Sequence, residues 1–161
     1  MEIWSKEFPG RSECLAEVRL FSFAVLGDCD AAHMVALVAD ELAGNAIKHT
    51  ASGEPGGEFV VRLARFSDRC RVRVDDQGGP SIPAIRTPYE DDEAGRGLTI
   101  VATLSARWGT DGDETARSVW AEIAFDEAPA IPEPGGPAAG LPSQVGAKRG
   151  VGMTTDDGGK R

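Results

Sequence analysis

Three segments of the chain repeat apolar residues every three or four positions, which is typical of amphipathic helices. They cover residues 12–27, 30–50 and 97–105. Ser12 and Asp30 are suitable capping residues for the first two helices, and Gly27 is a suitable end for the first. The pattern therefore predicts three helices, the second of them long.

Other segments alternate apolar and polar residues, as strands with one buried face do. Residues 58–66 and 69–75 form one pair around a tight Ser67–Asp68 turn, and residues 106–110 and 115–125 form a second pair. In the first pair Arg69, Arg71 and Arg73 fall on the face opposite the apolar residues. The order of helices and hairpins predicts an α+β fold, a two-layer α/β sandwich with the helices packed on one face of a mixed, mostly antiparallel sheet.

The composition changes near residue 128. Residues 129–161 contain eight Gly and five Pro and almost no large apolar side chains. Such a segment buries too little surface to offset its ordering entropy. We therefore expect a folded domain over residues 1–128 and a disordered Gly/Pro-rich tail over residues 129–161.

Charge and composition exclude several classes of protein. The formal net charge of −9 disfavours nucleic-acid binding, because an acidic surface repels phosphate backbones. No apolar run is long enough to cross a membrane, and the polar N-terminus does not resemble a signal peptide. The three cysteines are far apart and odd in number, which favours buried thiols in a reducing cytoplasm.

The second helix carries a stripe that begins apolar and becomes polar beside the core: Met34, Val38, Glu41, Asn45, His49. Glu41 and Asn45 are one turn apart and point the same way, so a carboxylate and an amide oxygen can converge on one ion or water. A solvated helix edge would show the same pair. This motif alone therefore does not define a site.

Two further motifs combine acidic and glycine residues. Asp76 is followed by Gly78, Gly79 and Pro80 at a strand end, where backbone without a Cβ can approach a planar ligand. The same letters also describe an ordinary turn. The sequence Gly95-Arg96-Gly97-Leu98 opens the third helix, whose free N–H groups could face a phosphate.

Together, in this order and spacing, the three motifs resemble the N, G1 and G2 boxes of the GHKL (Bergerat-fold, histidine-kinase-like) ATP-binding superfamily. The motifs are E-L-x-x-N-A-x-x-H at 41–49, D-x-G-x-P at 76–80 and G-x-G-L at 95–98. The resemblance covers about residues 10–125. It implies that ATP and Mg²⁺ are the cofactors.

The resemblance also implies individual roles. Asn45 is expected to coordinate Mg²⁺ and Asp76 to accept a hydrogen bond from the adenine amino group. Gly78 would let the base lie against the backbone. Gly95, Gly97 and Leu98 are expected to contact the phosphates, beside a lid formed by residues 81–94. Ser118 is expected to lie near the adenine. Lys48 and Arg96 either contact phosphate or are solvated surface charges.

Glu41 narrows the subfamily. A carboxylate four residues before the asparagine could orient an attacking hydroxyl and accept its proton. The sequence is similar in this respect, and in its Trp108–Gly109 and SVWAEI segments, to anti-sigma-factor serine/threonine kinases. We expect a stand-alone domain, because no phosphoacceptor helix pair precedes it and no transducer domain follows.

This resemblance implies a kinase that binds a sigma factor, phosphorylates a small antagonist protein, and forms a homodimer. Two alternatives stay open. One is a non-catalytic module that binds ATP and sequesters a partner, favoured by the short lid sequence. The other is a detached histidine-kinase-like ATPase domain.

Overall fold

The computed structural model describes residues 1–80 and 96–125, with only the backbone of Arg96. The predicted lid (residues 81–94), Gly95 and the predicted tail (residues 129–161) lie outside the described residues. The helices are α1 (Leu15–Leu26), α2 (Asp30–His49) and α3 (Arg96–Leu104). The strands are β1 (Glu2–Pro9), β2 (Glu58–Arg65), β3 (Arg69–Asp76), β4 (Arg107–Gly112) and β5 (Arg117–Ala124).

The five described strands form one sheet in the order β1-β2-β3-β5-β4. Each neighbouring pair is antiparallel. The three helices cover one face, with α2 in contact with α1, α3 and strand β3. The predicted two-layer α+β architecture is confirmed, and the described part of the sheet is wholly antiparallel.

The core lies between α2 and the inner face of the sheet. Helix α2 contributes residues that are fully or almost fully buried at helical spacing, and β2, β3 and β5 contribute alternate residues from their inner faces. The main contributors are Val35, Val38, Ala39, Leu42, Val61, Leu63, Val72, Val74, Ala121 and Ile123. Two periods, 3.6 in the helix and 2 in the strands, thus meet in one apolar layer.

Strand β1 is an edge strand that the sequence pattern does not predict. Its inner face carries Trp4 and Phe8, with Lys6 between them opposite Val61 of β2. The Nζ of Lys6 lies 5.0 Å from the centroid of the Phe8 ring and 3.4 Å from a carboxylate oxygen of Glu17 on α1. The lysine stem therefore fills an apolar position while its charge is paired, which hides the alternation.

The two predicted helix caps are wrong in detail. Ser12 begins a short 3₁₀ turn, Ser12–Cys14, and α1 begins at Leu15 with no side-chain cap. Helix α2 is preceded by Cys29 in extended conformation, so Asp30 is already the first helical residue. The predicted end of α1 is confirmed, since Gly27 has φ of 77° and its N–H donates to the Phe23 carbonyl.

The outer face of the sheet carries a charged network. Glu122 is only 3% exposed, and its two oxygens accept hydrogen bonds from Arg71 at 2.6 Å and Arg107 at 2.7 Å. Arg71 also lies over the ring of Trp120, at 4.7 Å from its centroid. Asp75 makes a second centre, because it accepts hydrogen bonds from Arg62 at 2.7 Å and Arg73 at 2.6 Å.

Among the described residues, no helix is both long and apolar enough to cross a membrane. The three cysteines are free thiols. Cys14 and Cys70 are buried as predicted, while Cys29 is only half-buried. Burial in the core raises the pKa of the Cys70 thiol to about 12.

We expect Glu122→Gln to lower the free energy of unfolding by about 1 to 2 kcal/mol near neutral pH, because a buried carboxylate with charged partners is lost. Burial alone would raise the pKa of Glu122, but hydrogen bonds from Arg107 and Arg71 outweigh it and lower that pKa. The stabilisation is therefore present above the ordinary Glu pKa and is lost as the pH falls through the folded-state value.

Urea unfolding at several pH values measures this difference. Glu58→Gln, at an exposed position of β2, is the matched control and should leave stability unchanged. Equal unfolding midpoints for wild type and Glu122→Gln near neutral pH would contradict the prediction.

Candidate functional site

The polar end of the α2 stripe lies at the border of the core. Val38 is fully buried, and Glu41 and Asn45 follow it as half-buried residues on the same side of the helix. The Nδ2 atom of Asn45 is buried and, within residues 1–80 and 96–125, has no hydrogen-bond partner. Buried amide groups are normally satisfied. Among the described residues, the Nδ2 group of Asn45 is thus a buried donor without an acceptor at the edge of the core.

The start of α3 packs directly against this pair of side chains. A Cβ atom added to Gly97 would lie 2.5 Å from Oε2 of Glu41 and 3.7 Å from Nδ2 of Asn45. A larger residue at this position would require the Glu41 carboxylate to move. Leu98, which is 5% exposed, anchors the same turn in the core. The structure therefore joins the first and third sequence motifs.

The first-turn N–H groups of a helix carry a partial positive charge and have no partner within the helix. Because Gly97 is the second residue of α3, these groups lie beside Glu41 and Asn45. An amide, a carboxylate and a helix N-terminus in one place suit a ligand that carries phosphate and a divalent cation.

Asp76 ends strand β3 on the inner face of the sheet and is 7% exposed. One of its oxygens accepts a hydrogen bond from the N–H of Gly78 at 2.7 Å. Burial raises the pKa of Asp76, while that hydrogen bond and the charge of Arg117 oppose the rise. Asp76 is therefore a buried acceptor at the end of a strand.

The segment after Asp76 packs against the C-terminal end of α2. The carbonyl of Gly78 accepts a hydrogen bond from Ala51 at 2.8 Å. A Cβ atom on Gly79 would lie 2.7 Å from the carbonyl oxygen of His49. His49 is one helical turn beyond Asn45 on α2. The second motif therefore lies close to the first and third motifs.

The chain itself requires glycine at position 78. Gly78 has φ of 73°, and an added Cβ would collide with the backbone of Glu114 and Thr115 in the β4–β5 turn. This glycine therefore links three segments of the fold. Its expected contact with a planar base stays a prediction.

The structure does not bring Ser118 to this group. Ser118 is the cross-strand partner of Asp75 and donates a hydrogen bond to its carboxylate at 2.6 Å, on the outer face of the sheet. Strand alternation puts Asp75 and Asp76 on opposite faces, so Ser118 and Asp76 are also on opposite faces. The inner-face partner of Asp76 is Arg117.

The family resemblance does not point to Arg117, although the alternation of β5 indicates which face it occupies. The inner face of β5 carries Val119, Ala121 and Ile123, and Arg117 precedes Val119 by two residues. Counting the period of two backwards from these apolar residues places Arg117, and not Ser118, on the inner face of the sheet, which is the face of Asp76.

The two basic residues that could contact phosphate are Lys48 and Arg96. Lys48 is exposed, and it is close enough to Glu41 for its charge to lower the pKa of that carboxyl. This effect is outweighed, because burial, together with the charge of Asp40, raises the pKa of Glu41. The side chain of Arg96 lies outside the described residues.

Comparison with known families agrees with this arrangement. Residues 8–123 match the family model of the histidine kinase-like ATPase domain. The chain belongs to this family, and it is a histidine kinase-like, ATP-binding domain. A comparison with curated proteins gives no match.

We expect Glu41→Gln to raise the free energy of unfolding at neutral pH, because it removes a carboxylate whose folded-state pKa is raised by burial. A raised carboxyl pKa penalises the folded state as the pH rises through the unfolded-state value, so the gain should disappear in acid, where both states are protonated.

Thermal unfolding of wild type and variant from about pH 4 to pH 8 measures this dependence. Glu54→Gln, at an exposed position, is the control. A gain that is the same at every pH, or a loss at neutral pH, would be inconsistent with a carboxylate destabilised by burial.

Proposed function

We propose that this domain binds Mg·ATP and acts as a serine/threonine protein kinase that regulates a sigma factor by partner switching. The observation that supports this best is the contact of Gly97 with Glu41 and Asn45 at the N-terminus of α3. It supports the proposal because a carboxylate, an amide and the N–H groups of a helix N-terminus are what a general base, a metal ligand and a phosphate site require.

The residues fit the magnesium and nucleotide that the family implies. Asn45 has a buried amide group with no partner within the described residues, as a ligand-binding side chain would have before its ligand is present. Rotation of an amide by half a turn exchanges its oxygen and nitrogen, so the oxygen can face a cation. Asp76 offers a buried acceptor to the exocyclic amino group of adenine.

Within this proposal Asn45 holds the metal, Gly97 and its neighbours in α3 bind phosphate, and Asp76 recognises the base. Mg²⁺, when bound, would offset the charge of the phosphates. Glu41 orients the acceptor hydroxyl and takes its proton. Burial raises its pKa, which makes its carboxylate a better proton acceptor than that of an exposed glutamate.

The partners follow from the resemblance to anti-sigma-factor kinases and are part of the proposal. They are a sigma factor that the domain holds, an antagonist protein whose serine or threonine takes the phosphate, and a second copy of the chain. The outer face of the sheet, with its paired arginines and Trp120, is separate from the proposed ATP site.

Calorimetric titration with Mg·ATP tests the site. Wild type should bind, and Asn45→Ala and Asp76→Asn should each weaken binding by about tenfold or more, because each removes a hydrogen bond or ligand to a charged or buried group. Asp75→Asn is the matched control, since Asp75 adjoins Asp76 but lies on the outer face. Omission of Mg²⁺ should also weaken binding.

Absence of binding by the folded wild type would exclude the proposed ATP site. Equal losses in Asp75→Asn and Asp76→Asn would show that binding responds to general damage to β3 and not to the base contact. Circular dichroism of each variant at the titration temperature checks that it is folded.

We further expect Glu41→Ala to lower the rate of phosphate release from ATP by about a hundredfold while it preserves ATP affinity, because a general base acts only in the transition state. Water serves as the acceptor in this assay, so no partner protein is needed. Glu54→Ala is an exposed control.

Two outcomes of this assay would redirect the proposal. If wild type binds ATP but releases no phosphate, the domain is better described as an ATP-binding module that sequesters a partner. If Glu41→Ala releases phosphate as fast as wild type, Glu41 is not the base.

A further inference from the structure

Arg117 occupies a buried position directly beside Asp76. The two residues are cross-strand partners on the inner face of β5 and β3. Arg117 is only 5% exposed, and its Nη2 donates a hydrogen bond of 2.7 Å to the carbonyl oxygen of Gly79. A buried guanidinium needs partners that offset its desolvation. The fold therefore holds the guanidinium of Arg117 in a defined position.

The bond to Gly79 connects Arg117 with the whole segment after β3. Gly78 and Gly79 are already held by the end of α2, through Ala51 and the close approach to His49. Arg117 ties Gly79 to β5. The end of α2 and strand β5 thus both hold the backbone that follows Asp76.

The charges around Asp76 have opposite effects on it. Asp75, its neighbour on β3, disfavours a second negative charge, while Arg117 favours it. Hydrogen bonds from Thr115 and Ala116 lower the pKa of Asp113 in the turn before β5, and the charge of Arg117 adds a smaller lowering. The ionisable side chains at the C-terminal end of α2 are Lys48 and His49, both exposed.

We infer that Arg117 is a positioning residue for base recognition: its guanidinium holds the carbonyl of Gly79 and brings a positive charge beside Asp76. This inference depends on the proposed ATP site. The residue of β5 that supports base recognition is then Arg117, whereas the family resemblance implies the hydroxyl of Ser118.

A charged Asp76 has a consequence for which base is accepted. An ionised carboxylate can only accept hydrogen bonds. It suits the amino group at position 6 of adenine and repels the carbonyl oxygen at position 6 of guanine. A protonated Asp76 could donate to that oxygen, so Arg117 also supports the preference for adenine over guanine.

Calorimetric titration with Mg·ATP and Mg·GTP across about pH 5 to 8 tests this role in wild type, Arg117→Lys and Arg117→Gln. Lysine keeps the charge, and glutamine keeps a donor for Gly79 without the charge. Arg107→Gln, which removes an arginine from the outer face, is the matched control.

We expect Arg117→Gln to bind ATP about tenfold more weakly near neutral pH, since it removes a charged partner from a buried carboxylate. Its loss of ATP affinity in acid should begin at higher pH than in wild type, and its ATP-to-GTP affinity ratio should fall. Arg117→Lys should keep the pH profile of wild type, and so should Arg107→Gln.

The outcomes separate the inference from the proposed function. If wild type binds neither nucleotide, the proposed ATP site itself fails. If wild type binds ATP and both Arg117 variants keep its pH profile and its ATP-to-GTP ratio, the inference fails and the ATP site stands. Tighter ATP binding by Arg117→Gln would show that the guanidinium obstructs the base and would also overturn the inference.

Discussion

Helix α2 has to bury one side against the sheet while it keeps a carboxylate and an amide at the border of that side. Val38 and Leu42 provide the burial, and Glu41 and Asn45 lie next to them on the helix surface. Because α1, α3 and β3 all pack on α2, its position fixes theirs. The approach of Gly97 to Glu41 is possible only because α2 is held in this way.

The sheet separates two kinds of chemistry on its two faces. The inner face is mostly apolar, but it also carries Lys6 on β1 and, near the end of β3, Asp76 and Arg117, which are buried together. The outer face holds charged side chains in closed networks around Asp75 and Glu122. One residue of strand register therefore decides whether an acidic side chain supports the fold or faces the candidate site.

The buried polar groups of the candidate site lower the stability of the folded state. Burial raises the pKa of both Glu41 and Asp76, so their charged forms are less stable in the fold than in water. Asn45 keeps a buried amide group without a partner within the described residues. Such groups reduce stability unless a ligand satisfies them, which is the pattern expected of a binding site. The apolar core and the outer-face network offset this cost.

The sequence by itself determined the helices, the two hairpins and the layer architecture, because each depends on local periodicity of apolar residues. It also determined that Asp76 and Asp75 face opposite ways, since alternation in a strand is local. Tertiary structure alone decided the pairing of β1 with β2, because the inner Lys6 interrupts the apolar pattern and its charge is paired with Glu17 of α1. It alone also decided the contact of Gly97 with Glu41 and the pairing of Asp76 with Arg117, because both join segments far apart in the chain and depend on how helices and strands are packed.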